Sequence, residues 1–322
     1  MADHLNWGIL GAANFALEQM APAIHAAPRA RLAALATSSD AKFAAFARLF
    51  PELARHTSYD ALLADPSIDA VYIPLPNSLH VEWGLKAIEA GKHVLIEKPV
   101  AMAAPEIDAL IAARDAAGVF ATEAYMIVHH PQWLRARALI ADGALGAVKQ
   151  VSCAFSFDNR DPGNIRNQSD LGGGALPDIG VYALGSARFA MGAELSQISA
   201  RIEWEGGVDT RARVCAQIGG AGYHGYVSTR MQLFQEVTFH GEAGVMKLTA
   251  PFNPNIYDAA RIELRDGDGL RVETFPSANH YVNQVENFAA TVLDGAPYPW
   301  SLEDAQGTQS TIDAVYAAAR GA

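Results

Sequence analysis

Strand-like and helix-like segments alternate through the first 124 residues of the chain, and this alternation most constrains the fold. Short apolar runs such as LNWGIL, IDAVYIPLP and KHVLIE are each followed by a stretch of helical length. Strands separated by helices at this spacing are typical of a parallel, doubly wound sheet. The sequence therefore predicts an α/β chain whose residues 1–124 form a domain with a doubly wound parallel sheet.

Longer strand-like segments with few helices between them follow residue 124. Successive strands without intervening helices indicate a large, mainly antiparallel, open-faced sheet. Helices are predicted near DIGVYALGSARFAMG and around YVNQVENFAATVLDG and LEDAQGTQSTIDAVYAAARG. We expect residues 125–322 to form a second α/β domain, with C-terminal helices able to pack back on the first domain.

Composition restricts the class of protein. Half of the 322 residues are hydrophobic and 18% are charged, which is typical of a globular chain. The formal charge of −11 argues against nucleic acid or an anionic membrane as the main partner. The N-terminus has no basic region followed by an apolar core, and Cys153 and Cys215 fit buried free thiols. We expect a soluble, cytoplasmic protein without a membrane span.

The segment GILGAANFA follows the first predicted strand and partly matches the dinucleotide fingerprint G-x-G-x-x-G/A. Gly11 fills the first position, Ala13 the second and Ala16 the third, with Asn14 and Phe15 between them. A turn of small residues between a strand and a helix is the alternative interpretation. The position in the first βα unit favours a phosphate site at the helix N-terminus.

The segment after the second predicted strand bears on the choice of cofactor. An NAD site commonly has an acidic residue there, whereas this chain has Thr37, Ser38 and Ser39, followed by Asp40 and Lys42. Small hydroxyl donors suit a 2′-phosphate better than a carboxylate would. NADP is therefore preferred over NAD, although a polar loop with a cap at Asp40 explains the same residues.

Further polar residues are expected at the same edge, because ligands of doubly wound sheets bind at the carboxyl ends of the strands. The segment PLPNSLH has two interpretations. Pro74, Leu75, Asn77 and His80 either form a turn and a helix cap or contact the cofactor. In HVLIEKPV, Glu97 and Lys98 follow the strand 93–97. A solvated surface lysine is the simple interpretation of Lys98, and a catalytic cation near the nicotinamide is the functional one.

The segment GGGALPDIGVYALG places Asp178 and Tyr182 four residues apart, on one face of a predicted helix. A tyrosine held near a lysine ammonium has its phenolate form favoured and can act as a general base. Asp178 would orient a substrate hydroxyl or the tyrosine. A carboxylate at a helix N-terminus and a half-buried aromatic are the structural alternatives.

Together with EAYM, these motifs resemble the Gfo/Idh/MocA oxidoreductases over nearly the whole chain. The resemblance implies that residues 1–124 form a dinucleotide-binding Rossmann domain. It implies that residues 125–322 form a substrate-binding and oligomerisation domain, with homodimers or homotetramers assembled through its large open sheet. It also implies Lys98 as the catalytic lysine, with Asp178 and Tyr182 lining a sugar site. Tyrosine at 182 resembles the NADP-dependent branch of the family, although the arginine often found at the position of Ser39 is missing.

The sequence thus predicts an NADP-dependent oxidoreductase that transfers a hydride between nicotinamide and a sugar or polyol. Candidate substrate-binding residues are Tyr125, Asn164, Arg166 and Tyr281, each of which also fits a loop or core position. His129 and His130 do not have the spacing of a metal site, and we expect no metal. A glycosidase acting by transient oxidation and a non-enzymatic nucleotide sensor remain alternative functions.

Overall fold

A computed structural model describes residues 3–254 and 256–321. The chain divides into two compact units. The first comprises the chain up to His129 together with Asn279–Gln306, and the second comprises His130–Ala278 and the chain from Gly307 onward. The first unit is therefore built from two separate stretches of sequence.

The first unit contains a six-stranded, wholly parallel sheet in the strand order β3-β2-β1-β4-β5-β6. Buried apolar runs form the central strands, as expected when helices cover both faces of a parallel sheet. Four side chains of the central strands, Val71, Ile73, Val94 and Ile96, have no exposed surface. The strands are β1 (Leu5–Leu10), β2 (Ala30–Ala36), β3 (Ala54–His56), β4 (Ala70–Ile73), β5 (His93–Ile96) and β6 (Ala121–Glu123).

Capping residues explain where several helices of this unit begin and end. Ser39 accepts a hydrogen bond from the N–H of Lys42 and caps one helix, and Ser58 caps another in the same way through Ala61. Gly118 ends a third helix at φ 65°. The helices are α1 (Ala21–Ala26), α2 (Asp40–Leu49), α3 (Tyr59–Leu63), α4 (His80–Glu89), α5 (Ala104–Ala117) and, in the returning stretch, α8 (His280–Asp294).

The second unit contains an eight-stranded sheet in the order β14-β13-β12-β11-β7-β10-β9-β8. Within the described residues, β7 and β10 form its one parallel pair, and the other neighbours are antiparallel. The strands are β7 (Val148–Asp158), β8 (Leu195–Glu205), β9 (Val208–Ile218), β10 (Ala221–Ser228), β11 (Arg230–Gly241), β12 (Gly244–Leu248), β13 (Arg261–Asp266) and β14 (Gly269–Thr274).

One face of this sheet is covered by a buried helix, α7 (Val181–Met191), which contacts β7 and β10. A π-helical turn, Leu176–Gly180, leads into α7. Burial alternates along β9, as expected when the two faces of a strand have different environments. The remaining helices are α6 (Pro131–Ala141) and α9 (Leu302–Arg320), the last of which contributes residues to both units.

The predicted fold class is confirmed: a doubly wound parallel sheet is combined with a larger, mainly antiparallel one. The prediction of two buried thiols is wrong for Cys215, which is exposed, whereas Cys153 is buried and both are free. Cys215 lies on the exposed face of β9, between the buried residues Val214 and Ala216. No helix within the described residues is both long enough and apolar enough to cross a membrane.

Candidate active site

The turn after β1 contains a glycine in a conformation that other residues rarely adopt. Gly11 has φ 102°, and a Cβ there would lie 2.7 Å from Cδ2 of Leu75. Only glycine fits that position without movement of Leu75. The chain then enters a π-helical turn at Ala16–Met20, with Phe15 partly exposed before it. The first fingerprint position is therefore a true glycine site, and small residues follow it, which fits a bound dinucleotide.

The loop after β2 contains a cation that the sequence interpretation missed. Arg55, from β3, donates hydrogen bonds to the carbonyl oxygens of Thr37 (3.3 Å) and Ser38 (3.2 Å). Its Nη1 lies 2.6 Å from Oδ1 of Asp40. The three-residue strand β3 pairs Arg55 with Leu35 of β2, so the arginine reaches the loop from the side. A strand of three residues is too short to show a periodic pattern. The sequence therefore did not indicate that Arg55 lies beside this loop.

The hydroxyl groups of the same loop have structural partners as well. The N–H of Ser39 donates to Oγ1 of Thr37 at 3.2 Å, and the Ser39 hydroxyl caps α2. The cap is thus Ser39 rather than Asp40, and Asp40 is the first helical residue. A loop with hydroxyls and an arginine fits a 2′-phosphate, while the Asp40 carboxylate opposes one.

His80 connects two of the strand ends that carry candidate cofactor residues. Its ring is completely buried, with Nδ1 2.8 Å from the carbonyl oxygen of Pro99 and Nε2 2.8 Å from that of Leu75. Burial lowers the pKa of His80, against the opposing effect of the two carbonyls. Any contribution of His80 to cofactor binding is therefore indirect, through the segments that it braces. Pro74 is buried too, and Asn77 is half-buried in a 3₁₀ turn.

Lys98 lies in the turn that follows β5, which ends at Ile96, one residue earlier than predicted. The N–H of Lys98 donates to Oε2 of Glu97 at 3.1 Å, and Oε1 of Glu97 accepts a 2.6 Å hydrogen bond from the Tyr72 hydroxyl. The Lys98–Pro99 peptide bond is cis. Side chains and backbone thus hold this turn together at the carboxyl edge of the sheet.

The two tyrosines predicted to line a pocket occupy different environments. Tyr125 is fully buried and stacks on Trp300, with ring centroids 4.4 Å apart. Tyr281 is 6% exposed, and its ring meets the edge of Phe15 at 5.7 Å. Burial raises the pKa of Tyr281, so its hydroxyl stays protonated at neutral pH. Tyr125 therefore has the character of a core aromatic, and Tyr281 lies beside the nucleotide turn.

In the second unit, three of the predicted site residues come together. Nε of Arg166 lies 2.6 Å from Oδ2 of Asp178, and both the N–H and the guanidinium of Arg166 contact Oδ1 of Asn164, at 3.1 and 3.5 Å. Asp178 is in the π-helical turn rather than in a regular helix. Tyr182 follows in the first turn of α7, and its ring packs near Phe155 and Phe252.

Asp209, which the sequence gave no reason to single out, supports the segment that carries Asp178. It is 1% exposed, and its carboxylate accepts the N–H of Leu176 and the hydroxyl of Tyr316, each at 2.7 Å. Burial raises the pKa of Asp209, although these donors oppose the shift. Gly174, at φ 138°, has no room for a side chain beside this carboxylate. The glycines before Pro177 thus allow close approach of Asp209.

The paired histidines are part of the interior. Burial lowers the pKa of His129 to about 3 and that of His130 to about 4, so both rings are neutral at physiological pH. Nδ1 of His130 accepts the N–H of Gln132 and caps α6. Across residues 3–254 and 256–321, no group of three or more His, Cys, Asp or Glu side chains has an arrangement that could hold a metal ion.

The first unit is a Rossmann sheet with a glycine turn in its first βα unit, and the second unit contains a large sheet. This combination defines a class of two-domain oxidoreductases. The family model for the oxidoreductase family with an NAD-binding Rossmann fold, GFO/IDH/MocA, matches residues 5–125. The model of the GFO/IDH/MocA C-terminal domain matches residues 133–247. The chain therefore belongs to the Gfo/Idh/MocA family, and the predicted resemblance and oxidoreductase class are confirmed.

Individual relatives cover nearly the full chain. D-xylose 1-dehydrogenase (NADP(+)) 2 of Haloferax volcanii is 35% identical over 97% of each chain. The crystal structure of KijD10, a 3-ketoreductase from Actinomadura kijaniata in complex with NADP and TDP-benzene, has a TM-score of 0.89 and 28% identity, with 98% of each chain covered. Aldose-aldose oxidoreductase from Caulobacter crescentus, complexed with glycerol, has a TM-score of 0.91 and 26% identity, covering 99% and 98% of the two chains. Sugar-modifying oxidoreductases are thus prominent among the relatives.

Proposed function

We propose that this protein is an NADP-dependent oxidoreductase that transfers a hydride between nicotinamide and a sugar or polyol. The relatives named above support this, since one is an NADP-dependent xylose dehydrogenase and another is a ketoreductase with bound NADP. Arg55 and the hydroxyls of the β2 loop supply a local site for a 2′-phosphate in a chain of net charge −11. The nicotinamide would supply the hydride chemistry, and the chain would supply binding, orientation and proton transfer.

One observation carries the assignment of Lys98 and Tyr182. Structures of KijD10 include variants changed at one lysine and at one tyrosine, and these two positions are 84 residues apart. Lys98 and Tyr182 have the same separation in this chain. The matching separation supports carrying the importance of a lysine and a tyrosine over to these two positions.

The proposed roles follow from the chemistry of each group. Tyr182 takes the proton from the substrate hydroxyl in oxidation and returns it in reduction. Lys98 polarises the oxygen at which negative charge develops, as a fixed cation does in general acid–base catalysis. Asp178, held by Arg166, accepts a hydrogen bond from a substrate hydroxyl and so fixes the orientation of the sugar. Assembly through the open sheet and a cytoplasmic location stay predictions.

Parallel fluorescence titrations with NADPH and NADH test the cofactor, followed by a screen of aldoses with NADP⁺. We expect tighter binding of NADPH and reduction of NADP⁺ by at least one aldose. Preference for NADH would contradict the cofactor assignment. Release of a free sugar without net change in NADPH absorbance would instead indicate a glycosidase, and tight binding without any turnover would indicate a nucleotide sensor.

A further inference from the structure

The buried carboxylate of Glu123 accepts a hydrogen bond from the turn that contains Lys98. Glu123 is the last residue of β6, pairs with Ile96 of β5 and is 2% exposed. Its Oε1 accepts the N–H of Val100 at 3.0 Å. Val100 lies two residues after Lys98, so this hydrogen bond joins the end of β6 directly to the lysine turn.

The second oxygen of Glu123 is held by Trp300. Nε1 of Trp300 donates to Oε2 of Glu123 at 3.0 Å, while the backbone carbonyl of Trp300 accepts the hydroxyl of Thr122 at 2.6 Å. The Trp300 ring also stacks on Tyr125. These contacts come from Thr122, Glu123 and Tyr125, which lie within four consecutive residues, and they fix the indole so that its N–H points at the carboxylate.

The two donors favour the ionised form of Glu123. A carboxylate accepts an N–H strongly at each oxygen, whereas the hydroxyl oxygen of a neutral carboxylic acid is a weaker acceptor. Burial acts against ionisation, and with the nearby charge of Glu97 it raises the pKa of Glu123 to about 7. The two hydrogen bonds and the charge of Lys98 favour the ionised form. Glu123 therefore changes charge near neutral pH.

We propose that Glu123 is a positioning residue whose ionised carboxylate holds the Lys98–Val100 turn in its working conformation. Protonation weakens these hydrogen bonds and removes a negative charge next to the lysine turn. Turnover therefore falls as the pH drops below neutrality, because the turn that carries Lys98 loses its support and not because a group that touches the substrate is protonated. The effect on catalytic turnover rests on the proposed function, whereas the effect on the conformation of residues 98–100 does not.

The pH dependence of kcat with the sugar substrate tests the predicted effect of Glu123 on turnover. In the wild type, kcat is expected to fall between pH 8 and pH 6, with a midpoint near the pKa of about 7. Glu123→Gln is expected to flatten this limb and to lower kcat at pH 8 by about tenfold to a hundredfold, the scale of a displaced catalytic group. Glu89→Gln, at an exposed position of α4, is the matched control and should keep the wild-type profile.

Trp300→Phe gives a directional test that a merely structural role would not pass. It removes the indole donor, which stabilises the carboxylate, and keeps an aromatic ring beside Tyr125. The midpoint of the acid limb is therefore expected to move to higher pH. An unchanged midpoint in Trp300→Phe, or an unchanged acid limb in Glu123→Gln, overturns the proposal.

Hydrogen exchange of the segment around Val100 tests the turn without any turnover. After correction for the intrinsic pH dependence of exchange, the Val100 amide is expected to exchange faster in Glu123→Gln than in the wild type at pH 8. Equal exchange overturns the proposal. Faster exchange in a protein that oxidises no sugar would uphold the positioning of the turn and contradict the proposed function, so the two failures are distinguishable.

Discussion

Nε of Arg166 and Oδ2 of Asp178 lie 2.6 Å apart, in a charge-assisted hydrogen bond between a partly exposed arginine and a buried aspartate. The sequence suggested both residues for the substrate site but gave no reason to pair them. The pair fixes the carboxylate within the π-helical turn Leu176–Gly180. If Asp178 orients the sugar as proposed, Arg166 acts on the substrate through Asp178.

Replacing Arg166 should misplace Asp178 without unfolding the second unit. We expect Arg166→Ala to lower kcat/KM by about tenfold, the equivalent of ~1.4 kcal/mol and within the range for a hydrogen bond to a charged group. Arg166→Lys should recover part of the loss, because it restores the charge without the guanidinium geometry. Arg160→Ala is the control, since Arg160 is exposed in the same loop and pairs with Asp158. Wild-type kinetics in Arg166→Ala would contradict the role.

Replacing Arg55 should weaken the binding of NADPH selectively. We expect Arg55→Ala to raise the Kd for NADPH by about tenfold to a hundredfold, the effect of one charge-assisted contact, and to leave the Kd for NADH unchanged. Asp40→Asn should act in the opposite direction, because it removes a carboxylate that competes with the phosphate for Arg55. Fluorescence titrations of both cofactors measure the effect.

Arg48→Ala provides the matched control for this experiment. Arg48 is an exposed residue in the last turn of α2, so its removal changes the net charge by the same amount at a distance from the loop. An equal loss of NADPH affinity in Arg48→Ala and Arg55→Ala would assign the effect to overall charge. In that case Arg55 would not be part of a phosphate site.

Removing the amine of Lys98 should affect the chemistry more than cofactor binding. We expect Lys98→Ala to reduce kcat by about 10²-fold or more, the scale of general acid–base assistance. NADPH affinity should remain close to that of the wild type, because the phosphate sites proposed here, at the turn after β1 and at Arg55, do not include Lys98. Steady-state kinetics together with NADPH titration separate the two effects, and retained turnover would exclude a catalytic role for Lys98.

Burial of Glu123 should make stability depend on pH. Its pKa is raised to about 7 in the folded protein, so its neutral form is favoured by folding. For a carboxyl group shifted upward, this contribution to stability is present below the unfolded pKa and is lost as the pH rises through about 7. Relative to Glu123→Gln, the wild type should lose about 3 kcal/mol of unfolding free energy between pH 4 and pH 8. Urea denaturation of both proteins at several pH values measures this, and parallel pH curves would contradict it.

The parts of the fold that could be predicted are those with a strong and extended pattern. The parallel sheet was predictable because strands such as His93–Ile96 are buried on both faces and read as continuous apolar runs. The three-residue strand β3 and the π-helical turn were not, since neither extends over enough residues to show a period. Cys215 was misjudged because side chains along a strand alternate between its two faces, and the sequence alone did not show which face of β9 is exposed.

The candidate site shows the same division. Lys98, Asp178 and Tyr182 were recognisable because each lies in a short motif. Arg55, Glu123 and Asp209 act through tertiary contacts: Arg55 reaches a loop 17 residues earlier in the chain, and Asp209 accepts a hydroxyl from a residue 107 positions later. Long-range partners of this kind leave no local signal in a single sequence.

The division of the first unit into two stretches has a consequence for biosynthesis. Phe288 packs on Trp7 with ring centroids 4.7 Å apart, and Leu302 belongs to the core formed around Val71 and Ile96. Neither residue exists on the ribosome until residues 130–278 have been translated, which takes about 7–30 s at ~5–20 residues per second. During this interval, the apolar surface of the nascent Rossmann sheet that these residues later cover is exposed. Chaperones can therefore bind this surface while the second unit is being synthesised.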